Sequence, residues 1–484
     1  MLRNQKIRFI EPQGRPGRPF NPWISRWPLL GPITLASILH DRGYDARVYN
    51  ENISGSVLDN PAAYEDICSA DMAGISIMTS TAPRGYAIAD RIKCDAPNVK
   101  VVFGGVHATF LPDEALPHGD IVVRGEGENV IEPIVLGRIQ SGIIQAPHLK
   151  DLDSIPTLNH ALMNGFDKLI AGPRKRGIYE LPIMASRGCP YGCTFCSVTR
   201  MFGRKVRRQS VEKVYRDICR YTEQGFRRFF FYDDNLTSDR TWARELFDRM
   251  APMRLRFNAQ VRADFHWLDG SRGQVDRPLL GAMRRGGGDV VYVGYETIDE
   301  ATATQWSKGY RGTNSLRGRL AEDTRILHDN GFWIHGMFVL GPEHTTKTAD
   351  QIVQFAHQNN IESMQISILT PLPGTPLFDR MRPHLVFTNY PSDWNYYDGA
   401  HCVYNNSRLG IEKLQKTVLK AHWQFYRRGI WNFRRLRALV EQKLPFSDKL
   451  ALLWTHATLA RKTLKEWRKE MKIFLELARA RTAQ

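Results

Sequence analysis

An α/β protein, with two parallel-sheet domains in succession and a helical region after them, is the fold class this sequence predicts. Three observations carry it. Residues 1–145 alternate short β-branched or apolar runs with helix-period segments, the mark of βαβ units and a Rossmann-like domain. A second series of six strand signals, between residues 181 and 371, describes a partial (β/α)6 barrel. After PLPGTPLFDR the strand signal stops, and from Ile411 the chain reads as helices rich in Trp, Leu, Arg and Lys. At 484 residues the chain is too long for one core. The predicted boundaries are a first domain over 1–145, a linker over 146–176, the barrel over 177–385 and a mostly helical basic region over 386–484.

In the first domain the strand candidates are KIRFIEP (6–12), ARVYNEN (46–52), MAGISIM (72–78), KVVFGGV (100–106) and DIVVRGE (120–126). Between them LLGPITLASILHDRGY, APRGYAIADRIKCDA and FLPDEALPH are expected to be helical. Proline and polar residues from Gln145 to Arg176 read as connection. The barrel candidates are LPIMASRG (181–188), RRFFFYDD (227–234), RLRFNAQVRAD (254–264), DVVYVGYET (289–297), FWIHGMFVLG (332–341) and MQISILTP (364–371). Chemistry in such a barrel belongs at the carboxyl ends of the strands.

The composition, 42% hydrophobic and 24% charged, is that of a globular protein, and no run reaches the ~20 apolar residues of a spanning helix. The start, MLRNQKIRFIEPQG, lacks a secretory apolar stretch, so a cytoplasmic location is expected. Of the net charge of +17, residues 411–484 hold +12, from 18 Lys and Arg against 6 Asp and Glu. That confinement, with no nucleic-acid-binding motif, argues against DNA or RNA as partner. The basic tail reads first as a helical cap on the barrel, and second as a peripheral membrane contact.

Seven cysteines make an odd number, and Cys68, Cys94, Cys219 and Cys402 are scattered, as reduced thiols are. The other three fall in ASRGCPYGCTFCSVTRMFGRK, where Cys189, Cys193 and Cys196 are spaced C-x3-C-x2-C directly after the first barrel strand. Three thiolates on one tight loop can converge on a metal centre. Zinc wants a fourth ligand, which only a distant residue could supply. An Fe4S4 cluster held by three leaves one iron open to a substrate or cofactor.

C-P-Y-G-C-T-F-C resembles the signature of radical S-adenosylmethionine (SAM) enzymes, in which the three cysteines hold a 4Fe-4S cluster and SAM binds the open iron. The resemblance extends along the barrel and implies SAM contacts at Phe195, at Asp233 and Asp234 of FFFYDDN, at Asn258, Gln260 and Arg262 of FNAQVRAD, and at Glu296 of GYET. The residues by themselves also allow blander roles. The aspartate pair can cap the next helix, the alternate polar residues of the third strand can face water, and Glu296 can be a surface carboxylate. GMFVLGPEHTT and SILTPLPGTPLF are similar to the family's fifth and sixth strands.

Residues 1–145 resemble the cobalamin-binding domain carried by one branch of that family, through PLLGPITLASILHDRGYDARVYNEN, SIMTSTAPRGYAIADRIK, VVFGGVHATFLPDEAL and VVRGEGE. The resemblance implies cobalamin contacts at Thr79, Ser80, Thr81, Arg84, Gly104, Gly105, Val106, His107, Gly125, Glu126 and Gly127. Glycines let backbone approach a large flat ring. The G-x-G-x-x-G dinucleotide fingerprint is absent. So is D-x-H-x-x-G, which would put a histidine on cobalt; the look-alike Asp264–Asp269 lies in the barrel and reads as a loop.

The resemblance thus implies an enzyme with three cofactors: a 4Fe-4S cluster, SAM and cobalamin. Its expected reaction is methylation of an unactivated carbon, or phosphorus, of a small-molecule or lipid substrate, through a 5'-deoxyadenosyl radical and methylcobalamin. A non-methylating cobalamin enzyme, performing oxidative cyclisation or ring rearrangement, shares the same motifs. A cobalamin-binding regulatory protein with a structural iron–sulfur site is the alternative from another class. A flavodoxin- or ferredoxin-like electron donor is the implied protein partner. Arg204, Lys205, Arg207 and Arg208, close behind the cysteines, can meet an anionic substrate, an electron donor or only water.

Overall fold

The computed structural model describes residues 5–17, 27–171, 176–177, 179–268, 272–310, 312, 314–405, 408–429 and 465–482. Its first sheet has six parallel strands in the order β2-β1-β3-β4-β5-β6: β1 Lys6–Glu11, β2 Asp45–Asn50, β3 Met72–Ser76, β4 Lys100–Gly104, β5 Ile121–Arg124 and β6 Gly142–Gln145. The first five coincide with the predicted runs. The sixth escaped prediction, since GIIQ at a sheet edge carries little pattern. The order reverses at β1, so the crevice beyond the carboxyl ends of β1 and β3 is the switch point at which doubly wound sheets bind ligands. FLPDEALPH holds only the short helix Pro112–Ala115 and a 3-10 turn, because prolines at both ends interrupt it.

The second sheet is also parallel and runs in sequence order: β7 Glu180–Ile183, β10 Arg228–Phe231, β11 Arg256–Arg262, β12 Gly288–Glu296, β13 Trp333–Leu340 and β14 Ser363–Ile368. A two-stranded antiparallel ribbon, β8 Ser186–Arg187 with β9 Arg207–Arg208, stands after β7. Alternation sorts the barrel's side chains. Phe229, Phe231, Phe257, Ala259, Val291, Val293 and Ile334 join the packed core under the helices. The opposite positions include Phe230, Gln260, Tyr292 and His335. Trp27, from the stretch after β1, stacks on Phe230 at 4.6 Å and meets Tyr292 edge-on at 6.2 Å. Tyr232 Oη donates to the Trp27 carbonyl at 2.5 Å. The first domain thereby sends an indole into the barrel.

The expected linker is packed rather than loose. Leu149, Leu152, Ile155, Leu162, Met163 and Phe166 are buried, and Met163 bridges to Val48. One face of the first sheet, with Ile7, Phe9 and Ile33, belongs to the same apolar core as the barrel helices. An open barrel must also protect its edge. On β14 the Ile366 N–H donates to His422 Nε2 at 3.1 Å, and Tyr426 Oη both receives from Met364 N–H at 3.2 Å and donates to its carbonyl at 2.7 Å. His422 and Tyr426 lie on the helix Gly410–Gly429, which covers that edge.

In the basic region, helix 465–482 docks through Glu470, which bonds His401 Nε2 at 2.7 Å, and through Phe474 stacked on Phe387 at 5.1 Å. Residues 430–464, nearly half of the tail read as a cap or a membrane contact, lie outside the described residues. Among the described residues no helix is long and apolar enough to cross a membrane.

Candidate active site between the two sheets

The cysteine loop is built by its ends. In the ribbon Ser186 stands opposite Arg208 and Arg187 opposite Arg207, which closes residues 188–206 into one loop. Gly188 has φ +95°, and a Cβ there would stand 2.9 Å from the Lys205 carbonyl and 3.0 Å from that of Gly203. Only glycine lets the loop's two ends pass so closely. Within it Cys196 N–H donates to the Cys193 carbonyl at 3.2 Å. The loop is tied to the barrel by Thr194 N–H on Trp306 O and Leu377 N–H on Thr194 O, both 3.1 Å. Phe195 packs edge-on against Trp306 at 5.7 Å.

All three cysteines are free thiols of intermediate exposure. Burial pushes the Cys189 and Cys196 thiols up, Cys196 to about 12, and the neighbouring cysteines and Asp234 add to the shift. The three are near enough to oppose one another's ionisation, so the set invites a cation. Among the described residues no three His, Cys, Asp or Glu side chains close on one point as a single ion requires. By its chemistry, a set of three thiolates on one loop fits a multi-iron cluster that leaves one iron open, whereas a structural zinc wants four ligands.

Two of the expected SAM contacts serve the scaffold. Asp233 is fully buried and accepts from Ser186 Oγ at 2.5 Å and Ala185 N–H at 3.1 Å, tying the end of β10 to the start of the cysteine loop. Burial raises its carboxyl to about 6 against the pull of those bonds. Asn258 Oδ1 accepts from Val290 N–H at 3.2 Å, filling an irregularity between β11 and β12. Neither aspartate caps the following helix, Arg240–Met250; Asp239 does, accepting from Trp242 N–H at 3.1 Å.

Asp234, Arg262 and, through Lys308, Glu296 stand round the loop. Asp234 lies beside it, its carboxyl raised to about 7 by burial and by Asp233, and lowered by the Gly188 amide. Arg262 ends β11, pairs with Asp264 at 2.9 Å, and lays its guanidinium 3.7 Å from the centre of the Tyr191 ring, inside C-P-Y-G-C. Glu296 ends β12 at a register shift with φ +60°, a conformation that costs a non-glycine residue ~1–3 kcal/mol and marks constrained sites. Its Oε1 is 3.0 Å from Lys308 Nζ, and buried Lys308 in turn feels the Cys193 thiol. Gln260 is half-buried. Tyr191, Trp306 and Lys308 were not found from sequence. Lys308, in WSKGY, has no motif, and only the turn after β12 brings it to Glu296.

In the first domain the expected cobalamin residues gather at the carboxyl ends of β3, β4 and β5. Thr79–Thr81 form a buried 3-10 turn. Ser80 and Thr81 line a cavity at the switch point with Glu11, Gly14, Asn52, Ser76 and Met78. Glu11, buried at the end of β1, accepts from Asn50 Nδ2 at 2.7 Å, its Oε1 has no hydrogen-bond partner among the described residues, and burial raises its carboxyl to about 8. Gly105 has φ +94°, and a Cβ there would meet the Ile77 carbonyl at 2.7 Å. Gly104 has no atom within 4 Å of such a Cβ. Val106 opens the short helix Val106–Phe110, and Gly127 lies over Leu35. A hydroxyl-lined crevice with an unpaired buried carboxyl oxygen and open backbone fits an amide-fringed corrin.

Three of these side chains already have protein partners. Arg84 grips Glu51 through two bonds, of 3.0 and 2.7 Å. His107 is fully buried, 3.0 Å from Glu114 and edge-on to Trp394 at 5.3 Å. Glu126 pairs with Arg207, its Oε2 2.8 Å from Nη1. The look-alike segment holds buried Trp267, whose Nε1 donates to Asp323 at 2.8 Å, and buried His266, whose Nε2 lies 3.2 Å from the same carboxylate, so it is packed structure; Asp269 lies outside the described residues.

Comparison with known proteins agrees with this arrangement. Residues 25–135 match the B12 binding domain model and residues 183–356 the radical SAM superfamily model. Bacteriochlorophyllide d C-12(1)-methyltransferase of Chlorobaculum tepidum is 29% identical over 75% of this chain and 76% of its own. The anaerobic magnesium-protoporphyrin IX monomethyl ester cyclase of Cereibacter sphaeroides is 26% identical over 72% of this chain and 59% of its own. The fold resembles that of the cobalamin-dependent S-adenosylmethionine radical enzyme OxsB with aqua-cobalamin bound, with a TM-score of 0.66 at 14% identity, covering 98% of this chain and 75% of that one. The cofactors of the two domains are cobalamin on the first, and a 4Fe-4S cluster with SAM on the second. With both domains matched in the order in which the chain folds them, this protein belongs to the B12-binding-domain-containing radical SAM enzymes.

Proposed function

We propose that this enzyme is a methyltransferase acting on an unactivated carbon, or phosphorus, of a small-molecule or lipid substrate. The observation that carries the reading is the contact between its two sheets: the loop after β5 is ion-paired to the base of the cysteine loop, through Glu126 and Arg207. Cys189, Cys193 and Cys196 would hold the cluster, and the crevice at Thr79–Thr81, Gly104–His107, Gly125 and Gly127 the corrin, the Glu126 carboxylate being committed to Arg207. When bound, these groups supply radical generation from SAM and methyl transfer. The chain's own residues position and shield them. Arg262 and Lys308 keep positive charge beside the loop, and Phe195 with Trp306 backs it. Uncharged Phe230, Tyr292 and His335 line the barrel side that Trp27 enters. Burial lowers His335 to about 4, so it is neutral at physiological pH, which suits an uncharged substrate.

The likeness to the cyclase supports a second reading, non-methylating cobalamin chemistry. Arg200, Arg204 and Lys205 are exposed on the cysteine loop, which carries no Asp or Glu, and that charge would suit an acidic flavodoxin- or ferredoxin-like electron donor. We place the protein in the cytoplasm. The deciding experiment is anaerobic reconstitution with iron, sulfide and hydroxocobalamin, followed by SAM and reductant. Formation of 5'-deoxyadenosine that is lost when the three cysteines become Ala is expected. S-adenosylhomocysteine alongside it supports methyl transfer; deoxyadenosine without it supports the second reading. Neither product, from protein loaded with both cofactors and offered candidate substrates, would overturn both.

A further inference from the structure

Four charged side chains lie buried where the two domains meet. Glu126 and Glu128 follow β5 of the first sheet; Arg187 and Arg207 face each other across the ribbon at the base of the cysteine loop. Arg207 grips both oxygens of Glu126, the Oε2 contact at 2.8 Å, and donates to the Leu149 carbonyl at 2.7 Å. Arg187 Nη2 donates to Glu128 Oε1 at 2.6 Å, and its Nη1 lies 3.4 Å from Glu126 Oε2. Glu126 Oε2 also accepts from the Leu149 amide at 2.6 Å. Glu126, Glu128 and Arg187 are less than a tenth exposed, and Arg207 is only slightly more so.

Charge pairs this deep contribute little net stability over an apolar substitute, but they tolerate few geometries, since every misfit leaves a charge unpaired. Their place is unusual. Arg187 is two residues before Cys189 in sequence. On the other side Gly125 N–H donates to Thr109 Oγ1 at 3.1 Å, and Arg124 Nε to the Thr109 carbonyl at 3.1 Å; Thr109 shares the helix Val106–Phe110 with His107. Hydrogen bonds, joined by short stretches of chain, thus connect the helix after β4 with Arg187, two residues before the first cysteine.

We propose that Glu126 and Glu128, with Arg187 and Arg207, are positioning residues that set the separation and orientation of the iron–sulfur loop relative to the cobalamin loops. The proposal rests on the functional reading above. Reaction geometry is sensitive at this scale: a displacement of ~1 Å can cost ~100-fold in rate. The network acts on geometry, so its effect is expected between the cofactors and not in the binding of either.

The test uses the full chain reconstituted with cluster and hydroxocobalamin, reduced to give cob(II)alamin and the paramagnetic cluster. Their magnetic dipolar interaction, read as faster relaxation of the cob(II)alamin EPR signal when the cluster is reduced, falls steeply with distance. Glu126→Gln is expected to keep the iron and cobalamin content of the parent protein but to weaken or broaden that interaction. Glu126→Gln combined with Arg207→Gln, which leaves no orphaned charge between those two residues, is expected to recover part of it. Should Glu126→Gln fail to fold, Glu128→Gln, which keeps the Glu126–Arg207 pair, carries the same test in milder form. Loaded variants with an interaction identical to the parent's would overturn the proposal, as would a loaded parent with no interaction at all. A parent that takes up neither cofactor would instead sink the functional reading on which the proposal rests.

Discussion

His401 is buried between two carboxylates, Asp398 at 3.0 Å and Glu470 at 2.7 Å, and it is charged because of them. Burial alone would depress it; the carboxylates outweigh burial and raise it to about 9 from an ordinary 6.5. A raised folded value means that this stabilisation is complete below pH ~6.5 and is lost as pH rises through about 9. At ~1.4 kcal/mol per pH unit, a rise of two to three units corresponds to ~3 kcal/mol. The larger share is local to Asp398 and His401; the Glu470 share holds helix 465–482, on which Glu470 lies. That helix is also held by Arg15–Glu470 at 2.9 Å, Arg479–Glu412 at 2.7 Å, Arg481–Asp393 at 2.9 Å, and ring contacts of Phe474 with Phe387 and of Trp467 with His422. Asp398 stays beside His401 when the helix opens, so only the Glu470 share is lost, and opening should become roughly 10-fold more frequent between pH 6.5 and 10, short of the ~100-fold that the whole shift would give. Amide hydrogen exchange of peptides from 465–482, corrected for intrinsic rates and compared with peptides from β12, measures this directly. In His401→Gln the pH dependence should vanish, with low protection throughout. Protection of 465–482 that stays constant across that range would refute the reasoning.

Two further outcomes follow from the loop geometry. Gly188→Ala places a Cβ against two carbonyls at positive φ, at a cost of ~1–3 kcal/mol, and is expected to lower iron incorporation while leaving cobalamin uptake intact; equal iron per chain would contradict it. Lys308→Met strips half-buried Glu296 of its cation, which costs ~1–3 kcal/mol, less than breaking a fully buried pair. It should lower the thermal midpoint and weaken SAM binding measured calorimetrically, whereas Glu296→Gln with Lys308→Met should recover part of the midpoint.

Much of the fold is local and was legible. Strands β1 to β5 and the six barrel strands announce themselves through β-branched and aromatic runs, because each must bury both faces. β6 did not, being short and at an edge. The packing of the connection over 146–171 was not legible because its apolar residues have no period; Leu149, Leu152, Ile155, Leu162, Met163 and Phe166 are each buried. FLPDEALPH has helical spacing, and its prolines override it.

The site divides in the same way. Cysteine spacing is a property of the chain, since three thiols within eight residues must share one loop wherever that loop lies. The partners of a charged side chain are not such a property. Asp233 and Asp234 are adjacent in sequence, yet one is a buried strap and the other lies beside the cysteines. Glu126 is expected at a cofactor crevice, and its carboxylate is spent on Arg207, 81 residues away. The sequence by itself determined the two sheets, the cysteine loop and the glycines that admit close backbone approach, since these follow from periodicity and local conformation. Only the tertiary structure decided that Arg187 and Arg207 tie that loop to the first domain, that Lys308 faces Glu296 and that Trp27 enters the barrel. Electrostatic pairing depends on distance in space, and no sequence pattern encodes the separation of residues that meet only after both sheets have formed.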